Sequence, residues 1–224
     1  MTLVRTALLF GATGLVGGHV LDRLLENERW SRVVVLARRS VGRTHAKLTE
    51  RIVDFEAIAS DGKLSELSLD GVDDVFACLG TTIKVAGSQE RFRRVDHDYT
   101  VAVARLAHQA GARRLALVSS VGAAERTKNF YLRVKGETER DVRALGYETL
   151  VIARPSFLVG ERSTSRTGEG AGIAVARAFA PLMLGGLRVY RPIAARDVAN
   201  AIVGALSVEE HGVRVLTHAE LVAR

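Results

Sequence analysis

Tyr131 and Lys135 stand four positions apart in Tyr131-Leu132-Arg133-Val134-Lys135. On a helix, residues four apart share one face, displaced about 6 Å along the axis. The ammonium of Lys135 then lies beside the Tyr131 phenol. A free phenol titrates near roughly pH 10 and is a poor proton-transfer group at neutrality, and a neighbouring ammonium favours its ionised form. Ser120, just past the apolar run Arg114–Ser119, is placed to hydrogen-bond a reacting carbonyl oxygen. The chemistry these three groups suit is hydride transfer from a nicotinamide to a carbonyl carbon, or its reverse. Tyr131 would then protonate the oxygen, and Lys135 would also hold the nicotinamide ribose. Y-x-x-x-K alone is common on helices, so the rest of the chain decides its weight.

The second cluster is Phe10-Gly11-Ala12-Thr13-Gly14-Leu15-Val16-Gly17, between an apolar run and a helix-like segment. Gly11 suits a sharp turn after a strand, Gly14 lets backbone approach a pyrophosphate, and Gly17 lets the helix pack close to the sheet. Free N–H groups at the helix start favour phosphate. The spacing is G-x-x-G-x-x-G and departs from the general dinucleotide fingerprint. NAD-specific sites usually carry Asp or Glu about 20 residues past the loop. Here the next strand ends in Leu36-Ala37-Arg38-Arg39-Ser40, and paired guanidinium groups suit a 2′-phosphate. The expected cofactor is NADP(H) in preference to NAD(H).

Apolar runs at Leu3–Phe10, Arg32–Ala37, Arg51–Asp54, Asp74–Leu79, Arg114–Ser119 and Thr149–Ala153 read as strands. Leu15–Asn27, Glu90–Ala110 and Asn129–Ala144 read as helices between them. Nearly all-apolar strands fit a parallel sheet covered on both faces. The alternation predicts a doubly wound α/β Rossmann fold with strand order 3-2-1-4-5-6. Within Glu90–Ala110 the apolar face is expected to hold Phe92, Val95, Tyr99, Val103, Leu106 and Ala110. Past Pro155 the pattern loosens, with helices expected at Ile173–Met183 and Asp197–Leu206 and a late strand at Arg214–Thr217. One domain is expected, residues 1–160 forming the cofactor core and 161–224 a substrate-side segment with closing elements.

The 224 residues allow one substantial core. The net charge of +7 comes mainly from arginine, scattered as single residues and pairs, so nucleic-acid binding is not expected. The sole cysteine, Cys78, excludes an intramolecular disulfide framework and a Cys-rich zinc site, and a reducing cytoplasmic compartment fits. Thr6–Phe10 is too short for a signal-peptide core, and the tract Ala171–Leu187 is interrupted by Arg177, Pro181 and glycines, so no membrane span is expected. A homodimer through exposed helices is compatible with the sequence, which offers no interface-specific pattern.

Three further segments carry a resemblance: Cys78-Leu79-Gly80-Thr81-Thr82, Arg94-Val95-Asp96-His97-Asp98-Tyr99 and Tyr131 through Glu137. With the glycine loop they resemble the atypical short-chain dehydrogenase/reductases, and among them the Tat-interacting-protein-like NADPH-binding oxidoreductases. The similarity spans about residues 6–160. It implies a cofactor site from Gly11, Thr13, Gly14, Leu15, Val16, Arg38 and Arg39, with Asp54 near the adenine. It further implies Cys78, Leu79 and Gly80 beside the ribose, and Tyr131 and Lys135 at the nicotinamide end. Pro155, Ser156 and Leu158 would border the nicotinamide. Ser120 takes the catalytic serine's place, with Ser119 as the alternative. Asp54 serves equally well as a turn or cap residue. Arg94, Asp96 and Tyr99 read first as structural helix residues. The leading expectation is an NADP(H)-dependent carbonyl reductase or alcohol dehydrogenase acting on a small-molecule carbonyl or alcohol. The alternatives are a non-catalytic NADPH-sensing interaction module and, ranked last, a nucleotide-sugar epimerase or dehydratase.

Overall fold

The computed structural model describes residues 4–62, 68–159 and 189–223. β1 (Arg5–Phe10) turns into α1 (Leu15–Glu26), followed by β2 (Trp30–Ala37), β3 (Leu48–Ile52), α2 (Phe55–Asp61) and β4 (Asp74–Ala77). A long helical stretch comes next: α3 (Ile83–Ala86), α4 (Gln89–Arg93), a π-helical turn (Arg94–Tyr99) and α5 (Thr100–Gln109). β5 (Arg114–Val118), α6 (Phe130–Arg143), β6 (Thr149–Ala153) and the short β7 (Leu158–Val159) follow. The described chain ends with β8 (Ile193–Ala194), α7 (Ala195–Ser207), β9 (Gly212–Leu216) and α8 (His218–Val222).

Seven of these strands form a parallel sheet ordered β3-β2-β1-β4-β5-β6-β9. This is a doubly wound Rossmann fold, with the six-strand order expected from the sequence and β9 added beside β6. β7 pairs with β8 in a separate two-stranded sheet. Successive strand residues point to opposite faces, and both faces are covered. Leu9, Val35 and Phe76 belong to the core under α1 and α7, with Val20, Leu24, Val198 and Ile202. Leu8, Leu36 and Leu115 belong to the core under α2, α5 and α6, with Phe55, Ala104 and Val142. Burial on both faces is why the central strands alternate so little in polarity.

Some boundaries differ from expectation. β3 begins at Leu48 because it is the sheet's edge, half-exposed along its length, so no continuous apolar run marks it. β4 stops at Ala77, where the chain turns to wrap Gly11. The helix expected over Glu90–Ala110 contains the π turn, whose five-residue repeat inserts one residue into the 3.6-residue rhythm. Asp96 and Thr100 are consequently buried where the regular periodicity puts Val95 and Tyr99 inward. The helix expected at 173–183, and residues 161–188 of the expected substrate-side segment, lie outside the described residues. Among the described residues no helix is long and apolar enough to cross a membrane.

Candidate active site

The glycine loop sits at the carboxyl end of β1, against the end of β4. Gly11 has φ +90°, and a Cβ there would lie 2.3 Å from the Cys78 carbonyl carbon. A Cβ on Gly17 would lie 2.1 Å from the Gly11 carbonyl oxygen. The loop is thus clamped between β4 and α1 with no space for a side chain. Its exposed positions are Thr13 and Gly14. Gly14 is the N-cap of α1 and supplies no side-chain cap. The N–H groups of Leu15 and Val16, in the first turn, have no intrahelical acceptor and face an acid-free helix start. Such a cradle fits a pyrophosphate.

At the end of β2, Arg38 and Arg39 are exposed. Among the described residues neither forms an ion pair or hydrogen bond. The loop after them is tethered instead by Glu50 of β3, which accepts from Ser40 Oγ at 2.8 Å and from the Val41 N–H at 2.5 Å. Asp54 caps α2, accepting from the Glu56 N–H at 2.8 Å. That capping bond engages a residue the resemblance assigns to the adenine.

Lys135 is buried on α6, with Nζ 2.8 Å from Asp96 Oδ1 and 3.5 Å from the Val118 carbonyl oxygen. Burial opposes its charge, but Asp96 and Tyr131 outweigh that penalty and hold the ammonium above the usual lysine range. Asp96 Oδ2 accepts from the Thr81 N–H at 2.9 Å, and Thr138 Oγ donates to the Asp96 carbonyl oxygen at 3.2 Å. Asp96 was not among the site residues expected, because the π turn that carries it inward leaves no mark in the periodicity. A carboxylate interrupting an apolar helix in a chain with a buried lysine to match was the available signal. Arg94 and Tyr99 are structural: both bind Glu56 of α2, and Arg94 first among these holds the Glu56 carboxyl at about 2.

The Tyr131 ring packs against Phe92, with centroids 5.2 Å apart. Ser119 and Ser120 point differently. Ser119 is buried and its hydroxyl donates to Glu139 Oε1 at 2.5 Å. Ser120 is half-buried, and its hydroxyl reaches only the neighbouring Val121 carbonyl oxygen at 3.3 Å. Ser120 therefore keeps a hydroxyl available at the strand end. Cys78 is buried, and burial pushes its thiol up to about 12, Lys135 opposing. Leu79 is half-buried and Gly80 exposed.

Glu139, 3% exposed, binds Arg154 through both oxygens, at 2.9 and 2.6 Å, as well as Ser119. It ties α6 to the ends of β5 and β6, the elements carrying Tyr131, Ser120 and Pro155. Arg154→Ala would leave this carboxylate with only the Ser119 hydroxyl and, at 3.8 Å, Arg143. It is expected to lower unfolding free energy by about 3 kcal/mol, read from the urea midpoint. Pro155 is buried, and its carbonyl oxygen accepts from the Val121 N–H at 2.8 Å. The Ser156 hydroxyl donates to the Arg191 carbonyl oxygen. Leu158 lies half-buried in β7.

Gly11 abuts the Cys78 backbone at the end of β4, and Lys135 reaches the Val118 carbonyl oxygen at the end of β5, beside Ser119 and Ser120. A sequence profile of the family described as NAD(P)H-binding matches residues 11–209. The chain belongs to the NAD(P)H-binding family. This NAD(P)H-binding protein is 36% identical to the protein named FMP52, mitochondrial, of Eremothecium gossypii, over 97% of this chain and 96% of the relative. It is 35% identical to HTATIP2 of Rattus norvegicus, over 74% of this chain and 67% of the relative. It stands among the atypical short-chain dehydrogenase/reductases with Tat-interacting-protein-like relatives. The solved structure of a UDP-glucose 4-epimerase from Thermotoga maritima superposes with a TM-score of 0.68 at 19% identity, covering 95% of this chain and 76% of the other. At that identity the likeness concerns the fold. The cytoplasmic expectation is corrected: four further relatives of high similarity, from Aspergillus species and Emericella nidulans, are also named mitochondrial. A lone reduced cysteine does not discriminate between reducing compartments.

Proposed function

We propose that this NAD(P)H-binding protein is an NADP(H)-dependent oxidoreductase that reduces a carbonyl or oxidises an alcohol. The observation that supports the reading is a buried, charged Lys135, paired with Asp96 and in reach of the Val118 carbonyl oxygen at the end of β5, with Tyr131 on the same helix acting on its charge and Ser120 two residues past Val118. When bound, the dinucleotide supplies or accepts the hydride. Ser120 Oγ–H holds the substrate oxygen, and Tyr131 hands its phenolic proton to that oxygen as charge develops there. Lys135 has three N–H donors. Asp96 pairs with its charge and, at longer range, the Val118 carbonyl accepts from one donor, so donors remain for the nicotinamide ribose. Thr13, Gly14, Leu15 and Val16 would hold the pyrophosphate, and Leu79 and Gly80 the ribose side.

NADP(H) preference rests on Arg38 and Arg39, exposed and uncommitted among the described residues. Two charge-assisted contacts to a 2′-phosphate are worth about 1.5–3 kcal/mol each. Arg38→Ala/Arg39→Ala is therefore expected to weaken NADPH binding at least about 100-fold while leaving NADH affinity nearly unchanged. Calorimetric titration of both nucleotides checks this. Equal weakening toward both would assign the arginines elsewhere. A panel of carbonyl substrates with NADPH tests the activity itself, and no turnover with any of them would count against it.

A further inference from the structure

Only two residues, Arg38 and Arg39, separate two anchored points of the backbone past the carboxyl end of β2. The first anchor is Ala37, the last residue of the strand, whose carbonyl oxygen accepts from the Val53 N–H at 2.9 Å. The second is the turn Ser40-Val41-Gly42. Glu50, in the middle of β3, takes the Val41 N–H on Oε1 at 2.5 Å and the Ser40 hydroxyl on Oε2 at 2.8 Å. Ser40 Oγ in turn accepts from the Gly42 N–H at 3.1 Å, and Gly42 has φ +66°, a conformation that favours glycine. Val41 packs on the core beneath α1 and α7. Glu50 is half-buried, in register with Val35 of β2, and among the described residues it pairs with no basic side chain. Both of its oxygens are committed to the turn.

Resting on the NADP(H) reading of Arg38 and Arg39 and deepening it, we propose that Glu50 is a positioning residue for cofactor choice: it fixes the turn that presents the two guanidinium groups to a 2′-phosphate. A bridge of two residues between fixed ends has little backbone freedom left to lose when the phosphate binds, so the charge-assisted contacts form at low entropic cost. A nucleotide without the 2′-phosphate makes no such contacts, and its affinity is independent of the turn.

The test is calorimetric titration of NADPH and NADH against variants of the full chain. Glu50→Ala is expected to weaken NADPH binding about tenfold and NADH binding by less than about twofold. Glu50→Gln keeps an oxygen for the Val41 N–H and an amide N–H for Ser40 Oγ, so it should stay within about twofold of wild type for both nucleotides. Glu50→Thr, a good strand former too short to reach the turn, stands in where Glu50→Ala does not fold, with the same loss expected. In the Arg38→Ala/Arg39→Ala background, removing Glu50 should cost NADPH nothing further. Unchanged NADPH affinity in folded Glu50→Ala or Glu50→Thr, or equal losses for the two nucleotides, overturns the proposal. So does a Glu50→Gln loss as large as that of Glu50→Ala, or an undiminished loss once the arginines are gone. A structural tie alone would lower the urea midpoint and leave the ratio of the two affinities in place. The NADP(H) reading itself fails on a different result, equal weakening of both nucleotides by Arg38→Ala/Arg39→Ala.

Discussion

Tyr131→Phe is expected to lower turnover by about a hundred- to ten-thousand-fold, the span usual for losing a general acid, with NADPH affinity and thermal stability retained. Retention follows from the contacts. The Tyr131 ring packs on Phe92, and phenylalanine preserves that packing. Among the described residues the Tyr131 hydroxyl makes no hydrogen bond, so removing it strands no partner. The loss should therefore fall on kcat, with the cofactor dissociation constant unchanged. Wild-type turnover in the variant would show that the proton comes from elsewhere. The competing view, a cofactor-sensing interaction module, makes a contrasting forecast: NADPH-dependent partner capture that survives a combined Tyr131→Phe/Lys135→Ala change.

The second large effect is structural. Gly17→Ala is expected to cost about 3 kcal/mol of unfolding free energy and to abolish nucleotide binding. The new methyl would lie 2.1 Å from the Gly11 carbonyl oxygen and 2.7 Å from its carbonyl carbon. Gly11 has nowhere to retreat, because it is itself pressed against the Cys78 backbone. Relief requires α1 to tilt away from β1, which moves the Leu15 and Val16 N–H groups of the proposed pyrophosphate cradle. Urea unfolding and NADPH calorimetry on the same preparation check both halves. An unchanged midpoint with intact binding would mean the loop is looser than the packing indicates.

The parts of this molecule that were legible beforehand are those governed by local rules. Apolar runs such as Ala7–Phe10 and Val33–Ala37 mark strands that are covered on both faces, and their alternation with helices was enough to order the first six. The glycine turn is likewise local, since each glycine meets backbone only a few residues away or at the neighbouring strand end. What stayed hidden depends on phase or on long sequence separation. Asp96 faces inward through one inserted residue in a helix, which no regular period registers. Glu139 finds its partners in Ser119 and Arg154, on two different strands. Ser119 and Ser120 are equivalent in composition, and only the direction of each side chain at the end of β5 separates them. Compartment was illegible for another reason, since neither composition nor fold depends on it.

The placement of Trp30 has a practical consequence. It is the sole tryptophan, fully buried at the amino end of β2, edge-on to Phe76 and donating through Nε1 to Asp74 at 2.7 Å. Arg38 lies past the other end of that eight-residue strand, roughly 25 Å away at the usual rise per residue. The protein thus contains its own optical gauge of global unfolding, seated at the end of the sheet opposite the glycine loop. In ligand-free protein its emission reports whether the core is intact.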